Sequence, residues 1–394
     1  MNNPAPAEIP LCTPDLGPEE RRLLLEALDS TFVSSVGPFV ERFEHAFAAT
    51  VGSPHAVACS CGTAAIHLAL RVAGVQAGDT VLVSDFTFIA SATPIVHLGA
   101  HPVFVDSEER TWNLDPQALA DAIADLERAG RKPKALVAVH ILGMPADLGP
   151  VVDLCERHGI TLIEDAAEAL GAGYDEFYAH AACAGKQVGT IGRIGCFSFN
   201  GNKIITTGGG GMCVTADPAL ARRMKHLSTQ AKLPGLAFVH DEVGYNYRLT
   251  NLAAALGLAQ LERLPQLIAR KHAIADRYRA ALSDLGCAFQ PALSGIGPSD
   301  WLTSCLVPGD RDAVLARLTA AGIGSRPLWR PLSDQPAFAG SRSFGRGVGR
   351  RLAATGLNLP CSTHLGASDQ QRVIDALTAA LTAATAGAPD RNRI

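Results

Sequence analysis

Ser198-Phe199-Asn200-Gly201-Asn202-Lys203-Ile204-Ile205-Thr206-Thr207, followed by the four glycines Gly208, Gly209, Gly210 and Gly211, is the stretch around which the chain is organised. A short apolar strand delivers a hydroxyl, two amides and one amine to a loop, and the glycine run then lets other groups approach closely. Lys203 is the centre of this reading. A buried amine, or one beside another cation, loses enough basicity to act as a nucleophile toward an aldehyde and as a proton carrier. Taken alone, a lysine in such a turn is a solvated lysine, as most are.

Working outward, Ile160-Thr161-Leu162-Ile163-Glu164-Asp165-Ala166-Ala167-Glu168 is a β-branched apolar run that ends in carboxylates. Open parallel sheets bind ligands beyond the carboxyl ends of their strands, which places Asp165 on the same edge as Lys203. Pyridoxal phosphate asks a protein for a lysine to meet its aldehyde and an acid to keep its pyridine nitrogen protonated and electron-withdrawing. Ser60-Cys61-Gly62-Thr63 precedes a helical stripe of Ala64, Ala65, Leu68, Ala69 and Val72. The unpaired N–H groups of such a helix start bind phosphate, and Gly62 lets the backbone come close. The same residues also read as an ordinary N-cap; their company with Asp165 and Lys203 favours phosphate.

Strands are expected at 80–84, 101–105, 135–141 and 160–163, separated by helices such as 116–129 and 150–158. Strand alternating with helix argues for a mostly parallel, covered sheet. Before it, 16–28 and 38–49 carry apolar residues at helical spacing, among them Phe39, Val40, Phe43 and Phe47. After it come helices at 251–264 and 266–285 interrupted by Pro265, a strand at 301–307, a helix begun by Asp310, and a strand-like stretch at 323–328. A last helix shows a capping-box pattern, Ser368 with Gln371, and a frayed tail is expected at 389–394.

The 394 residues suffice for two domains sharing a large interior, with 47% hydrophobic and 18% charged residues marking a well-packed globule. A net charge of -4 leaves no basic footprint for nucleic acid. No apolar run is long enough to cross a membrane, and the first ten residues lack a signal-peptide pattern, so a cytoplasmic protein is expected. Ten cysteines scattered through so long a chain read as reduced, mostly buried thiols, and the Cys59/Cys61 pair alone is too little for zinc.

These stretches together resemble the sugar-nucleotide aminotransferases of the DegT/DnrJ type, within the aspartate aminotransferase superfamily of fold type I, over residues 37–371. Residues 198–212, 227–232 (Leu-Ser-Thr-Gln-Ala-Lys), 240–248 and 325–329 are most similar to the branch acting on UDP-4-keto-6-deoxy-N-acetylhexosamines, in routes to bacillosamine- and legionaminic-type sugars. The resemblance implies an α/β fold: a three-layer αβα large domain with a mostly parallel mixed sheet and an N-terminal arm (1–255), and a smaller C-terminal α+β domain (256–394). It implies that Lys203 holds pyridoxal 5'-phosphate as a Schiff base, that Asp165 pairs with the ring nitrogen, and that Phe88 stacks on the ring rather than joining the core. Glu168 falls where the family often has Gln, His or Glu near the phenolic oxygen; as an anion it needs a proton or a donor there. Gly62, Thr63 and Ser198 would bind the phosphate. Asn246 would reach in from a neighbouring subunit, which implies a homodimer with shared sites.

The implied reaction takes the amino group of L-glutamate, by way of pyridoxamine phosphate, to the 4-ketone of UDP-2-acetamido-4-keto-2,6-dideoxyhexose, with 2-oxoglutarate as co-product. Arg248, Arg326 and Arg330 are candidate anchors for the carboxylate and diphosphate, because guanidinium binds both bidentately, and Trp329 is a candidate sugar contact. Between 171 and 191 the chain departs from the family by the extra residues 174–187, read either as a flap affecting sugar choice or as a surface insertion. Two other readings compete. A pyridoxamine-dependent sugar dehydratase carries histidine in place of the lysine, and Lys203 disfavours it. A regulatory or binding protein on the same fold has no need for Asp165, Ser198 and Lys203 together.

Overall fold

A computed structural model of the chain describes residues 8–291 and 293–386; the tail at 389–394 lies outside the described residues. The strands are β1 (His55–Cys59), β2 (Thr80–Ser84), β3 (His101–Val105), β4 (Ala135–Val139), β5 (Thr161–Asp165), β6 (Gly173–Tyr174), β7 (Ile194–Ser198), β8 (Gly211–Thr215), β9 (Ala288–Phe289), β10 (Ile296–Gly297), β11 (Ser304–Leu306), β12 (Arg326–Pro327), β13 (Arg342–Phe344) and β14 (Gly356–Asn358). The helices are α1 (Pro18–Asp29), α2 (Pro38–Val51), α3 (Gly62–Val72), α4 (Thr93–His97), α5 (Pro116–Arg128), α6 (Leu148–His158), α7 (Pro218–Ser228), α8 (Asn251–Glu262), α9 (Leu264–Leu282), α10 (Arg311–Ala320), α11 (Val348–Thr355) and α12 (Ala367–Ala386).

Eight strands form one sheet in the order β1-β8-β7-β5-β4-β2-β3-β13. All neighbours are parallel except β8, which runs antiparallel to both β1 and β7. This is the mostly parallel mixed sheet expected, with helices on both faces. The strand expected at 160–163 runs on through Glu164 and Asp165, although two carboxylates should stop a buried strand. Glu164 is tolerated because its oxygens accept hydrogen bonds from the amides of Gly189, Ile191 and Gly192 and from His140 Nε2. A buried charge that is fully hydrogen-bonded escapes most of its desolvation cost.

Side chains alternate across β7. Phe197, and Phe199 just beyond the strand, join Phe43 and Phe47 of α2 in an aromatic cluster with ring centroids 5.0 to 6.0 Å apart. Ile194 and Cys196 face the other way, into the core beneath α3. Burying one such phenyl ring contributes about 1.5–3 kcal/mol, so the alternation is firmly held, and it turns Ser198 toward the start of α3. Helix starts follow from local chemistry: Asp115, Asp217 and Asp310 accept hydrogen bonds from the first free amides of α5, α7 and α10.

Three expectations change. Pro265 does not interrupt a helix but lies in the first turn of α9, where its missing N–H costs nothing. Ser368 does not cap α12: the helix has already begun at Ala367, and the Gln371 side chain is taken by Arg277 and Asp375. The boundary expected between 255 and 256 falls inside α8, which packs against α1 and α2. Beyond it, β12, β14, β11 and β9 form a small sheet with α10 and α12, the α+β character expected of the C-terminal part.

Candidate active site

The register of the sheet places Asp165, Ser198, Gly211 and Cys59 on one edge: Ser198 pairs with Gly211, and Gly211 with Cys59. The chain between Ser198 and Gly211 returns on itself, closed by Phe199 N–H to the Gly210 carbonyl at 2.8 Å and Thr207 N–H to the Phe199 carbonyl at 3.0 Å. Glycine is needed at its end. A Cβ on Gly211 would stand 2.6 Å from the Cys61 carbonyl carbon, and one on Gly62 would stand 2.8 Å from the Ser198 Cβ. A cavity of about 400 Å³ on this edge is lined by Gly62, Thr63, Phe88, Asp165, Glu168, Ser198, Lys203 and Trp329, eight of the residues singled out in the sequence.

Asp165 is buried and already holds two donors: Ser91 Oγ–H donates to Oδ2 at 2.7 Å and the Ala167 amide to Oδ1 at 3.1 Å, with Thr87 Oγ1 3.0 Å from Ser91 Oγ. Burial pushes its carboxyl above the usual range, and the two donors with the nearby Lys203 cation oppose it. Such an acid gains from a cation or a protonated ring nitrogen in the cavity. Lys203 Nζ lies 3.8 Å from Glu168 Oε1 and 3.7 Å from the centroid of the Trp301 ring. Burial lowers the amine's pKa, and Glu168 and Asp165 raise it in part. The lysine is therefore held beside two acids while its basicity is reduced, the state that suits a nucleophile and proton carrier.

Glu168 resolves the question its charge poses. Its Oε2 accepts the Leu142 amide at 2.7 Å, from a residue in the left-handed region at φ 58°. Burial pushes its carboxyl up to about 7, against the opposing pull of Lys203 and of that amide. The folded value lies above the ordinary one, so the stability from holding the proton is complete below about pH 4.5 and lost as pH rises through about 7. Unfolding of the cofactor-free protein, followed in urea, is expected to show a decline of about 3 kcal/mol between those limits that Glu168→Gln lacks, since each tenfold gain in proton affinity on folding corresponds to roughly 1.4 kcal/mol. Equal declines in the two proteins would remove this assignment.

The amides of Gly62 and Thr63 open α3 and have no acceptor within the helix, while Cys61 Sγ takes the Ala64 amide at 3.4 Å. With Ser198 beneath them they form an anion cradle of the kind a phosphate occupies. Phe88 stands at the cavity, 52% exposed rather than in the core. It lies 6.4 Å from Trp329, which stacks on Trp301 at 6.2 Å. A buried acid, a lysine of reduced basicity, an aromatic wall and a helix start in one cavity fit pyridoxal phosphate.

Not every candidate converges. Asn246, Arg248, Arg326 and Arg330 do not line the cavity. Asn246 Oδ1 accepts from Arg248 at 3.4 and 3.5 Å, and Arg326 is exposed on β12 with Nη1 on the Ser325 carbonyl. Ser228 and Thr229 spend their hydroxyls on the last carbonyls of α7. None of residues 174–187 lines the chain's own cavity. The insertion is anchored by the Tyr174 hydroxyl on the Ala146 carbonyl and by Tyr178 on Asp147, and its end borders a separate cleft at the opposite edge of the sheet, near Thr215.

Two residues of the site escape the sequence reading. Ser91 belongs to a turn with no motif of its own. Trp301 reads as a strand residue, yet its indole N–H donates to the Asn202 carbonyl at 2.6 Å, so it grips both the backbone and the amine of the lysine turn. No local pattern announces either.

The chain matches the family described as DegT/DnrJ/EryC1/StrS aminotransferases over residues 14–378. It belongs to that family. Within it, the chain is 41% identical over 380 residues to EpsN of Bacillus subtilis (strain 168), described as a pyridoxal phosphate-dependent aminotransferase, covering 94% of this chain and 95% of the relative. It is 40% identical over 375 residues to the GDP-perosamine synthase of Caulobacter vibrioides (strain ATCC 19089 / CIP 103742 / CB 15), covering 94% and 97%. The solved structure of the aminotransferase TlmJ from Streptoalloteichus hindustanus superposes with a TM-score of 0.87 at 32% identity, over 96% of this chain and all of that one. As a DegT/DnrJ/EryC1/StrS protein the chain is a pyridoxal phosphate-dependent sugar aminotransferase. No helix among the described residues is long and apolar enough to cross a membrane.

Proposed function

We propose that the chain transfers the amino group of L-glutamate to the 4-ketone of a nucleoside-diphosphate-linked 4-keto-6-deoxyhexose, giving a 4-amino sugar nucleotide and 2-oxoglutarate. The observation that carries this is Lys203 Nζ beside Glu168 and Trp301 in the same cavity as the buried Asp165. Bound pyridoxal phosphate supplies an aldehyde that carries the amino group and a ring that withdraws electrons from the carbon losing its proton. Gly62, Thr63 and Ser198 would hold the phosphate, Phe88 would flank the ring, and Asp165, kept in place by Ser91 and Ala167, would pair with the ring nitrogen.

Lys203 Nζ takes the proton from Cα of the amino acid and returns one to C4 of the sugar. One amine serves both directions because its basicity lies below that of a free lysine. Glu168, titrating near neutrality, takes up or releases charge as the amine gains or loses a proton. The Phe88, Trp329 and Trp301 wall offers the apolar surface that a 6-deoxy sugar presents and keeps water from the reacting carbon. Asn246 and Arg248, outside the chain's own cavity, serve the cavity of a second copy in a homodimer.

Two acceptors are favoured by different observations. The stretches at 198–212 and 227–232 favour a UDP-linked 2-acetamido sugar, and the GDP-perosamine synthase relatives favour a GDP-linked one. The holoenzyme is to be given L-glutamate and each 4-keto-6-deoxy sugar nucleotide in turn, with products read by mass and proton couplings and particle size by light scattering. Amino transfer to one linkage, matched one for one by 2-oxoglutarate from dimers, is expected. Transfer to none of the sugars sinks the proposal.

A further inference from the structure

Lys271, on α9, is 3% exposed, yet none of its described partners is a carboxylate. Its Nζ donates to the carbonyls of Trp301 at 2.8 Å and Cys361 at 2.7 Å, and its remaining neighbours are two sulfurs, Cys12 Sγ at 3.5 Å and Cys361 Sγ at 3.6 Å. A buried ammonium without a counter-charge is costly, and a thiolate is the anion at hand. Cys361 is fully buried; the hydrogen bond from Cys12 and the Lys271 cation hold its thiol below the usual range, while the same hydrogen bond and burial push the Cys12 thiol up. Cys12 is half-buried and lines a crevice with Lys203 and Lys271 of about 10 Å³, room for one water-sized molecule.

The two thiols belong to chain segments already zipped together. The Cys361 amide donates to the Leu11 carbonyl at 2.8 Å, and the Thr13 amide to Ser362 Oγ at 3.0 Å. Cys12 Sγ also reaches the Asn202 carbonyl at 3.6 Å, the same oxygen that receives the Trp301 indole. The cluster therefore touches the turn that carries the catalytic lysine.

We propose that Cys12 and Cys361 form a modification site at which hydrogen peroxide, the smallest peroxide, closes a disulfide, pulling Cys12 from the Asn202 carbonyl and disturbing the Lys203 turn. Cys12, whose thiol the hydrogen bond to Cys361 and burial hold well above the usual range, passes its proton to the Cys361 thiolate; its sulfur then forms an S–O bond as the peroxide O–O bond breaks, and the hydroxide released takes that proton as water, restoring the Cys361 thiolate. The Cys361 thiolate then attacks the Cys12 sulfur, forming S–S and expelling hydroxide. Two electrons pass from the thiols to the peroxide, and a thiol reductant reverses the change. Lys271 favours the second step by holding the attacking sulfur as thiolate.

The test uses the holoenzyme with stoichiometric hydrogen peroxide, followed by alkylation, digestion and mass mapping, a readout independent of which sugar is the substrate. The expected result is a Cys12–Cys361 linked peptide pair that dithiothreitol removes, with linked enzyme slowed about tenfold in amino transfer, since a 1 Å misplacement near a reacting group can cost up to about 10²-fold. Cys12→Ser is expected to keep its rate before and after peroxide. Oxygen adducts on Cys12 without linkage, linkage at Cys59 and Cys213 instead, or a linked enzyme of unchanged rate would overturn the proposal.

Discussion

Lys203→Ala is expected to lose about 10⁴-fold in kcat, the upper end for a positioned acid–base group, because the same amine also attaches the cofactor. The absorbance band near the visible edge should vanish from the purified variant, and borohydride should leave no adduct on the peptide spanning residue 203. The fold is expected to survive. Without the ammonium 3.8 Å away, Glu168 keeps its proton, which its burial already favours, so no bare charge is stranded in the cavity. A variant that retains the band, or an adduct mapped to Lys271 or another lysine, would end the proposed assignment of the site.

Asp165→Asn is expected to cost about 10² to 10³-fold in kcat, the loss typical of removing one preorganised electrostatic partner of a transition state. The amide can still fill the carboxylate's place: its oxygen accepts the Ala167 amide, and its NH₂ donates to Ser91, whose hydroxyl then turns to Thr87. What disappears is the negative charge that keeps a ring nitrogen protonated. KM for the sugar nucleotide should therefore change little while kcat falls. Because burial raises the Asp165 carboxyl, the amide spares the cofactor-free protein a desolvation cost, and its urea midpoint should not drop. A variant with wild-type kcat would show that Asp165 does not face the ring.

Those two residues are legible in the linear chain because each follows a short apolar run at a strand's carboxyl end, a position that parallel topology makes functional. Gly62 and Thr63 are legible for a similar reason, since a helix start carries its unpaired amides wherever it is placed. Each of the three anchors stands alone in the sequence, and the strand order that unites them is long-range: β5 and β7 are neighbours, but β1 and α3 reach the same edge only by way of the antiparallel β8.

Local pattern determined the strand and helix alternation and the mostly parallel sheet, and it offered Lys203, Asp165 and the start of α3 as candidates for one site, because hydrophobic periodicity and backbone capping act over a few residues. Tertiary structure decided the rest. Trp301 meets the lysine turn at Asn202 from 99 positions away, Ser91 meets Asp165 from 74, and Cys12 meets Lys271 from 259. Such contacts depend on how packed layers bring distant segments together, and the residues that make them carry no signature of their partner.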